Sequence, residues 1–123
     1  MSQYETAVAR YFEAWNATGT TEELAKAVAA AWAEDGSYTD PLADVRGHEG
    51  IAAVIAAAHE QFPGFEFRRA GEAEGHHDVA RFRWELVSLA DGSAPVAGSD
   101  VITLDGDGRI RTVTGFLDRV PTA

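Results

Sequence analysis

The sequence predicts a single α+β domain in which the helices come first and the strands follow. Three segments of the first half repeat apolar residues every three or four positions, the period of a helix with one buried face. From Phe65 onward the period changes to two, as in strands that bury one face. Helices followed by consecutive strands favour an antiparallel sheet curled over the helices. A length of 123 residues fits one such domain, 1–123.

Each predicted helix carries an apolar stripe. The first stripe runs from Tyr4 to Trp15. A capping box at Thr20–Glu23 begins the second helix, whose stripe runs from Leu24 to Trp32 and which stops near Gly36. The third helix spans about residues 48–62.

The predicted strands are separated by turn sequences. Ser37–Asp40 is a short extended piece closed by Pro41, because a residue before proline prefers extended geometry. The later strands are expected at 65–74, 79–89, 96–104 and 109–119. The turn at Asp105–Gly108 is a strong hairpin signal between the last two of them.

The bulk composition excludes several classes of function. A net charge of −10 argues against binding to nucleic acid or to an anionic membrane surface, which both need a basic face. No apolar run approaches the length of a membrane span, so we expect a soluble, cytoplasmic protein. The absence of cysteine rules out disulfides and thiolate chemistry.

Asp100 is the most informative residue of the chain. In the strand 96–104 the two-residue period puts Asp100 on the same face as Val96, Ile102 and Leu104. A carboxyl group on an apolar face is costly unless it is paired, hydrogen-bonded or protonated. A surface acid belongs on the other face, although a bulge could still rotate the side chain outward.

Two further polar groups lie on or beside apolar faces. Tyr11 lies on the stripe of the first helix, and Asp40 lies at the end of a short strand with Tyr38 on the same side. Each also has an ordinary structural explanation, since Tyr11 fits a core tyrosine and Asp40-Pro41 a turn. Together with Asp100, they predict a dry pocket with two acids and a phenol, suited to proton transfer at carbon.

The histidines give weaker signals. His76-His77-Asp78 resembles a metal cluster only superficially, because adjacent side chains on a turn rarely converge on one ion. His48 and His59 lie off the stripe of the third helix and are expected at the surface. The sequence contains no phosphate-binding loop, nucleophile elbow or dinucleotide fingerprint, so we expect neither a cofactor nor a metal.

The order of elements resembles the nuclear transport factor 2-like superfamily along the whole chain, and within it the polyketide cyclase and ketosteroid isomerase-like branch. Three segments are similar to bacterial ketosteroid isomerases: Ala9–Tyr11, Tyr38–Pro41 and Asp100–Ile102. The resemblance implies a cone-shaped α+β barrel whose three helices and curved antiparallel sheet enclose a pocket. The positions where these isomerases often carry supporting tyrosines look like Trp32 and Ile55, so a tyrosine chain is not expected here.

The resemblance also implies a mechanism. Ionised Asp40 would move a proton α to a carbonyl, while Tyr11 and protonated Asp100 would stabilise the oxyanion of a small apolar cyclic substrate. We expect the pocket to be lined by aromatic side chains: Trp15, Trp32, Tyr38, Phe62, Phe82, Trp84 and Phe116.

Two alternatives remain open at this point. The first is a polyketide cyclase-like enzyme that uses Asp40 or Asp100 as the single acid/base of an aldol closure. The second is a non-catalytic module for ligand binding or dimerisation. In each case we expect a homodimer through the outer sheet face, because Val87 and Leu89 interrupt its polar residues and because dimers of this kind are common in the families that the chain resembles.

Overall fold

The computed structural model describes residues 2–121 and contains three helices and seven strands in that range. The helices are α1 (Gln3–Trp15), α2 (Thr21–Ala31) and α3 (His48–Gln61). The strands are β1 (Trp32–Thr39), β2 (Asp44–Arg46), β3 (Phe65–Arg69), β4 (Glu74–His76), β5 (Val79–Ser88), β6 (Val96–Leu104) and β7 (Ile110–Arg119). The predicted α+β class and the order of elements are confirmed.

The strands form one curved sheet in the order β2-β1-β7-β6-β5-β3, with β4 paired to β5. The sheet is mixed, not antiparallel throughout as predicted, because β1 runs parallel to β7 whereas the other pairs are antiparallel. It is not closed, since β2 and β3 are its two edges. A parallel pair needs a long crossover, and the chain from β2 through β6 supplies it. The sheet therefore curls round the helices without becoming a complete barrel.

The inner face of the sheet and the helix stripes form the core. Along β6, burial alternates residue by residue, as a strand with one covered face requires. The Asn16 side chain fixes the end of α1 to the sheet, since it exchanges two hydrogen bonds with the backbone of Phe67. Among residues 2–121, no helix has the length and apolar character needed to cross a membrane.

Two element boundaries differ from the sequence predictions. The second helix ends at Ala31 instead of near Gly36, and Trp32 begins β1 by pairing with Ile110 of β7. A fully buried residue at the end of an apolar stripe satisfies a helix and a strand equally, so periodicity alone misplaced the boundary. The predicted strand 65–74 is split, because the chain turns at Gly71 with a φ of 94°.

Candidate active site

A cavity of about 740 Å³ opens between α1, α3 and the inner face of the sheet. The second helix contributes no side chain to its wall, so the cavity touches two of the three helices. Small residues on one face of α3 make the room: Gly50, Ala53 and Ala57 line the cavity, while Ile51 and Ile55 on another face pack into the core. This volume is within the usual range for sites that bind small molecules.

Asp40 lies on the cavity wall at the point where β1 gives way to a tight turn. Its Oδ1 accepts hydrogen bonds from the backbone N–H groups of Leu42 and Ala43, both at 2.8 Å. Its Oδ2 accepts a hydrogen bond from the hydroxyl of Tyr38 at 2.5 Å. All three neighbours donate, which is the arrangement that an ionised carboxylate requires. Asp40 therefore has two roles in the fold. It caps the turn that the Asp-Pro sequence predicts, and it places a carboxylate at the apolar wall of the cavity.

Tyr11 and Asp100 form a second phenol–carboxyl pair deeper in the molecule. The Tyr11 hydroxyl donates to Asp100 Oδ2 at 2.5 Å, and both side chains are almost fully buried. Tyr11 lines the cavity, whereas Asp100 lies behind Tyr11 and is not part of the wall. The Tyr11 ring is held by aromatic neighbours, with Phe82 at 5.0 Å and Trp32 at 5.4 Å between ring centres.

Burial changes the acidity of three groups in the site. It raises the pKa of Asp100 to about 6; the Tyr11 hydrogen bond opposes this shift, and the nearby charge of Asp40 adds to it. Burial is also the main reason why the pKa values of Tyr11 and Tyr38 lie well above their ordinary value. Both phenols therefore keep their protons, while Asp100 changes charge near pH 6. This upward shift of the pKa is in the direction of the protonated Asp100 that the resemblance implied.

Gly115 brings the two acids close together. It lies opposite Asp100 in the β6–β7 pair. A Cβ atom at Gly115 would be only 2.6 Å from Asp100 Oδ1 and 3.4 Å from the Cβ of Asp40. The absence of a side chain at this position therefore lets both aspartates approach the same point on β7.

The structure separates the predicted site residues into three groups. Those on the cavity wall are Tyr11, Trp15, Tyr38, Asp40, Phe62 and Trp84. Those buried behind the wall are Asp100, Trp32 and Phe82, whose side chains fill the core.

The third group is Phe116 alone, and its prediction as a lining residue was wrong. Its side chain is 56% exposed, and the neighbouring Leu117 lines the cavity instead. The β6–β7 register shifts between the pairs Thr103–Thr112 and Leu104–Ile110, so one additional residue of β7 changes which side chains face inward.

Three other expectations also need correction. His48 and His59 are partly buried rather than at the surface, because their rings form hydrogen bonds with backbone carbonyl groups. The His48 ring contacts the carbonyls of Trp32 and Ala33, both at 3.0 Å, and the His59 ring contacts the carbonyl of Trp15. Val87 is only 6% exposed and so adds nothing to the outer face of the sheet.

Sequence reasoning missed several lining residues. The small residues of α3 escaped notice because alanine and glycine contribute little to an apolar stripe. Their positions at 50, 53 and 57 follow helical spacing, and this was the available signal. Leu42 and Val120 line the mouth and are 80% and 54% exposed, but no periodic pattern marks loop residues of this kind.

Comparison with known proteins identifies the family. The sequence model of the SnoaL-like domain matches residues 8–113. A proposed isomerase of the SnoaL-like family from Agrobacterium tumefaciens strain C58 is 44% identical; the match covers 96% of this chain and 99% of that one, with a TM-score of 0.88. No curated protein matches the chain. The chain belongs to the SnoaL-like domain family, within the nuclear transport factor 2-like superfamily.

More distant solved structures share the fold alone. A proposed SnoaL-like polyketide cyclase from Jannaschia sp. CCS1 is 21% identical over 94% of this chain and 85% of that one, with a TM-score of 0.75. An NTF2-like protein from Exiguobacterium sp. 255-15 is 19% identical over 91% of this chain and 98% of that one, with a TM-score of 0.69. The predicted superfamily is confirmed by the SnoaL-like family model and the 44% identical relative, while these distant structures agree with the fold.

Proposed function

We propose that this SnoaL-like domain is a ketosteroid isomerase-like enzyme that moves a proton at the carbon α to a carbonyl of a small, apolar, cyclic substrate. One observation carries the proposal. Asp40, surrounded only by hydrogen-bond donors, lies on the wall of an apolar cavity that also holds the Tyr11 phenol. The 44% identity to a protein named as a proposed isomerase supports the same reaction class.

In the proposed reaction Asp40 is the base. Its carboxylate removes the α-proton and becomes a carboxylic acid, and the electron pair of the C–H bond passes into an enolate. Return of the proton to a different carbon of the conjugated system restores the carboxylate and completes the isomerisation. The step needs no other reactant.

Tyr11 is the proposed donor to the substrate oxygen, and Asp100 supports it from behind. The Tyr11 hydroxyl donates to Asp100 Oδ2. When Asp100 is protonated, it can donate to Tyr11 instead, which frees the Tyr11 proton for the substrate. Negative charge developing on the substrate oxygen favours protonated Asp100, because adjacent negative charges repel. Asp100 thus acts through Tyr11 in this proposal, without touching the substrate.

The cavity wall indicates the charge of the substrate. None of the described residues that line the cavity is Lys, Arg or His, and the ionisable groups among them are one acid, Asp40, and the phenols of Tyr11 and Tyr38. An anionic substrate would therefore have no counter-charge in the site. The wall favours an uncharged molecule with one hydrogen-bond acceptor near Tyr11.

Two other functions start from the same cavity. An aldol closure of the polyketide cyclase kind begins with the same removal of an α-proton, and the fold shared with the Jannaschia protein agrees with it. A binding module would need the cavity but no base, and the role of Asp40 in fixing its own turn agrees with that function. The chemical fate of a bound ketone distinguishes the three.

The test is exchange and isomerisation of a β,γ-unsaturated cyclic ketone. We expect the protein to exchange the α-protons for deuterium in NMR and to form the conjugated ketone, seen by ultraviolet absorbance. Asp40→Asn keeps the shape of the site and should bind the ketone but lose both reactions. A protein that binds the ketone without exchanging α-protons is a binding module, and exchange followed by ring closure of a diketone identifies a cyclase.

We also propose that two copies pair through the outer face of the sheet, where Phe116 and Val101 are 56% and 36% exposed on neighbouring strands. Exposed apolar side chains of this size on a strand face are typical of self-association. Light scattering at micromolar concentration should give twice the monomer mass, and Phe116→Asp should halve it. A monomeric wild-type protein would contradict the pairing.

A further inference from the structure

The hydrogen bonds of Asp40 leave one of its oxygen atoms open to a new proton. A carboxylate offers about four lone-pair positions, two on each oxygen. On Oδ1 the N–H groups of Leu42 and Ala43 occupy two, and on Oδ2 the hydroxyl of Tyr38 occupies one. The one remaining position is on Oδ2.

Building on the proposed function, we infer that Oδ2 of Asp40 receives the substrate proton and that Tyr38 is a positioning residue that orients this oxygen and sets its basicity. The sequence marks Tyr38 only as a residue lining the cavity. The geometry gives it a second role, because its hydroxyl bonds the same oxygen that has the open position. This role concerns the rate and pH dependence of proton transfer rather than the binding of substrate alone.

Tyr38 is held rigidly enough for this role. Its backbone is paired on both sides, with Val45 of β2 and Val113 of β7. Its ring is 4% exposed and packs against the Trp15 ring at 5.5 Å between centres. Asp40 directly follows the last residue of β1, two positions after Tyr38, and the hydrogen bond between them shows that both side chains lie on the same side. The hydroxyl thus meets the carboxylate without any rearrangement of the chain.

A donor on Oδ2 affects the two protonation states of Asp40 differently. The hydrogen bond is charge-assisted while Asp40 is ionised, and it weakens when the oxygen takes up a proton. Tyr38 therefore stabilises the carboxylate form of Asp40, and this helps the carboxylic acid to return its proton to the substrate. Because burial and the bond to Asp40 raise the pKa of Tyr38 well above its ordinary value, the phenol keeps this proton across the working pH range.

The test compares Tyr38→Phe with a matched Tyr4→Phe control. Tyr38→Phe keeps the ring and its packing but removes the donor, so the acidic limb of the pH–rate profile should move to higher pH by about one unit, a tenfold change in proton affinity. Fluorotyrosine at position 38, a stronger donor, should move the limb in the opposite direction. The Tyr4 hydroxyl also makes one hydrogen bond, to the His77 carbonyl at 2.8 Å, but Tyr4 does not line the cavity; its variant should leave the profile in place.

A second measurement keeps this inference separate from the proposed function. In protein labelled with ¹³C-aspartate, the Asp40 carboxyl resonance, assigned with Asp40→Asn, reports its protonation without turnover. Tyr38→Phe should move this titration upward as well. If the wild-type protein shows no turnover, the proposed enzymatic function is wrong, but the titration still tests the role of Tyr38. If the protein is active and Tyr38→Phe moves neither the titration nor the acidic limb, the inference is overturned.

Discussion

The site contains two tyrosine–aspartate pairs of the same length that differ in their surroundings. Tyr11–Asp100 joins residues 89 positions apart and is buried, whereas Tyr38–Asp40 joins residues two positions apart at the cavity wall. Asp100 accepts a hydrogen bond from the Tyr11 hydroxyl, and the Trp84 side chain also acts to lower its pKa, but burial outweighs both and raises that pKa to about 6. Asp40 has three donors and lies at the accessible surface of the cavity. In the proposed mechanism, burial and solvent contact rather than residue type divide the two acids into a proton reserve, Asp100, and a base, Asp40.

The origins of the two pairs differ in the same way. Tyr38–Asp40 is a local pair that one strand and one turn build by themselves. Tyr11–Asp100 exists only when α1 is packed on the finished sheet. The local pair is therefore fixed by its backbone, while the distant pair depends on the packing of the whole core. Changes at Asp100 should be felt in stability as well as in activity.

Within the Tyr11–Asp100 pair, the largest effect should come from removing the polar group at position 100. In Asp100→Leu the Tyr11 hydroxyl loses its buried partner, and we expect proton transfer to slow by about a hundredfold to a thousandfold, roughly 3–4 kcal/mol. Asp100→Asn retains a polar partner for Tyr11 and should lose about tenfold. The measurement is the rate of α-proton exchange at pH 5.5, with circular dichroism to show that both variants fold. Equal losses in the two variants would mean that Asp100 does not act through Tyr11.

The next effect concerns stability and pH. The pKa of Asp100 is about 6 in the folded protein and 3.8 without burial, so between pH 4 and 6 the folded state binds more protons than the unfolded state. The free energy of unfolding therefore falls as pH rises through this window. Since one pKa unit is worth about 1.4 kcal/mol, the contribution of Asp100 falls by roughly 3 kcal/mol.

Urea unfolding at several pH values tests this expectation. Asp100→Asn cannot ionise, so its stability relative to the wild type should increase by about that amount from pH 4 to 7. Asp107→Asn, on the exposed turn between β6 and β7, is the control and should show no such window. A constant difference between Asp100→Asn and wild type would show that the carboxyl is not desolvated in the folded state.

The local and distant pairs were not equally predictable. Period-two alternation was enough to place Asp100 on the covered face and Tyr38 beside Asp40, because side-chain direction in a strand is a local property. Which hydroxyl bonds Asp100 is a property of packing between α1 and β6, and no sequence spacing encodes it. The sequence suggested that Tyr11 and Asp100 belong to one site. It did not indicate that Tyr11 lines the cavity while Asp100 lies behind Tyr11, away from the cavity.

Other parts of the site depend on pairing between strands. The parallel β1–β7 pair, which brings Asp40 beside Gly115, is formed by segments at opposite ends of the chain. The register shift in β7 turns Phe116 outward, although it was expected among the aromatic residues that line the pocket. Both features follow from hydrogen bonds between distant strands, whereas the hydrophobic periods that predicted the elements are properties of single segments.

The smallest effect should come from filling the space between the two pairs. In Gly115→Ala the new Cβ would lie 2.6 Å from Asp100 Oδ1, so the carboxyl must move away from Tyr11. We expect a loss of about 1–2 kcal/mol in the free energy of unfolding. Gly106→Ala is the matched control, because nothing lies within 4 Å of its new Cβ. In an Asp100→Ala background the obstructing oxygen is absent, so Gly115→Ala should cost little, and the double-mutant cycle should show a coupling of about 1 kcal/mol. Additive effects would mean that the methyl group strains the backbone of β7, and that Gly115 does not hold the aspartates together.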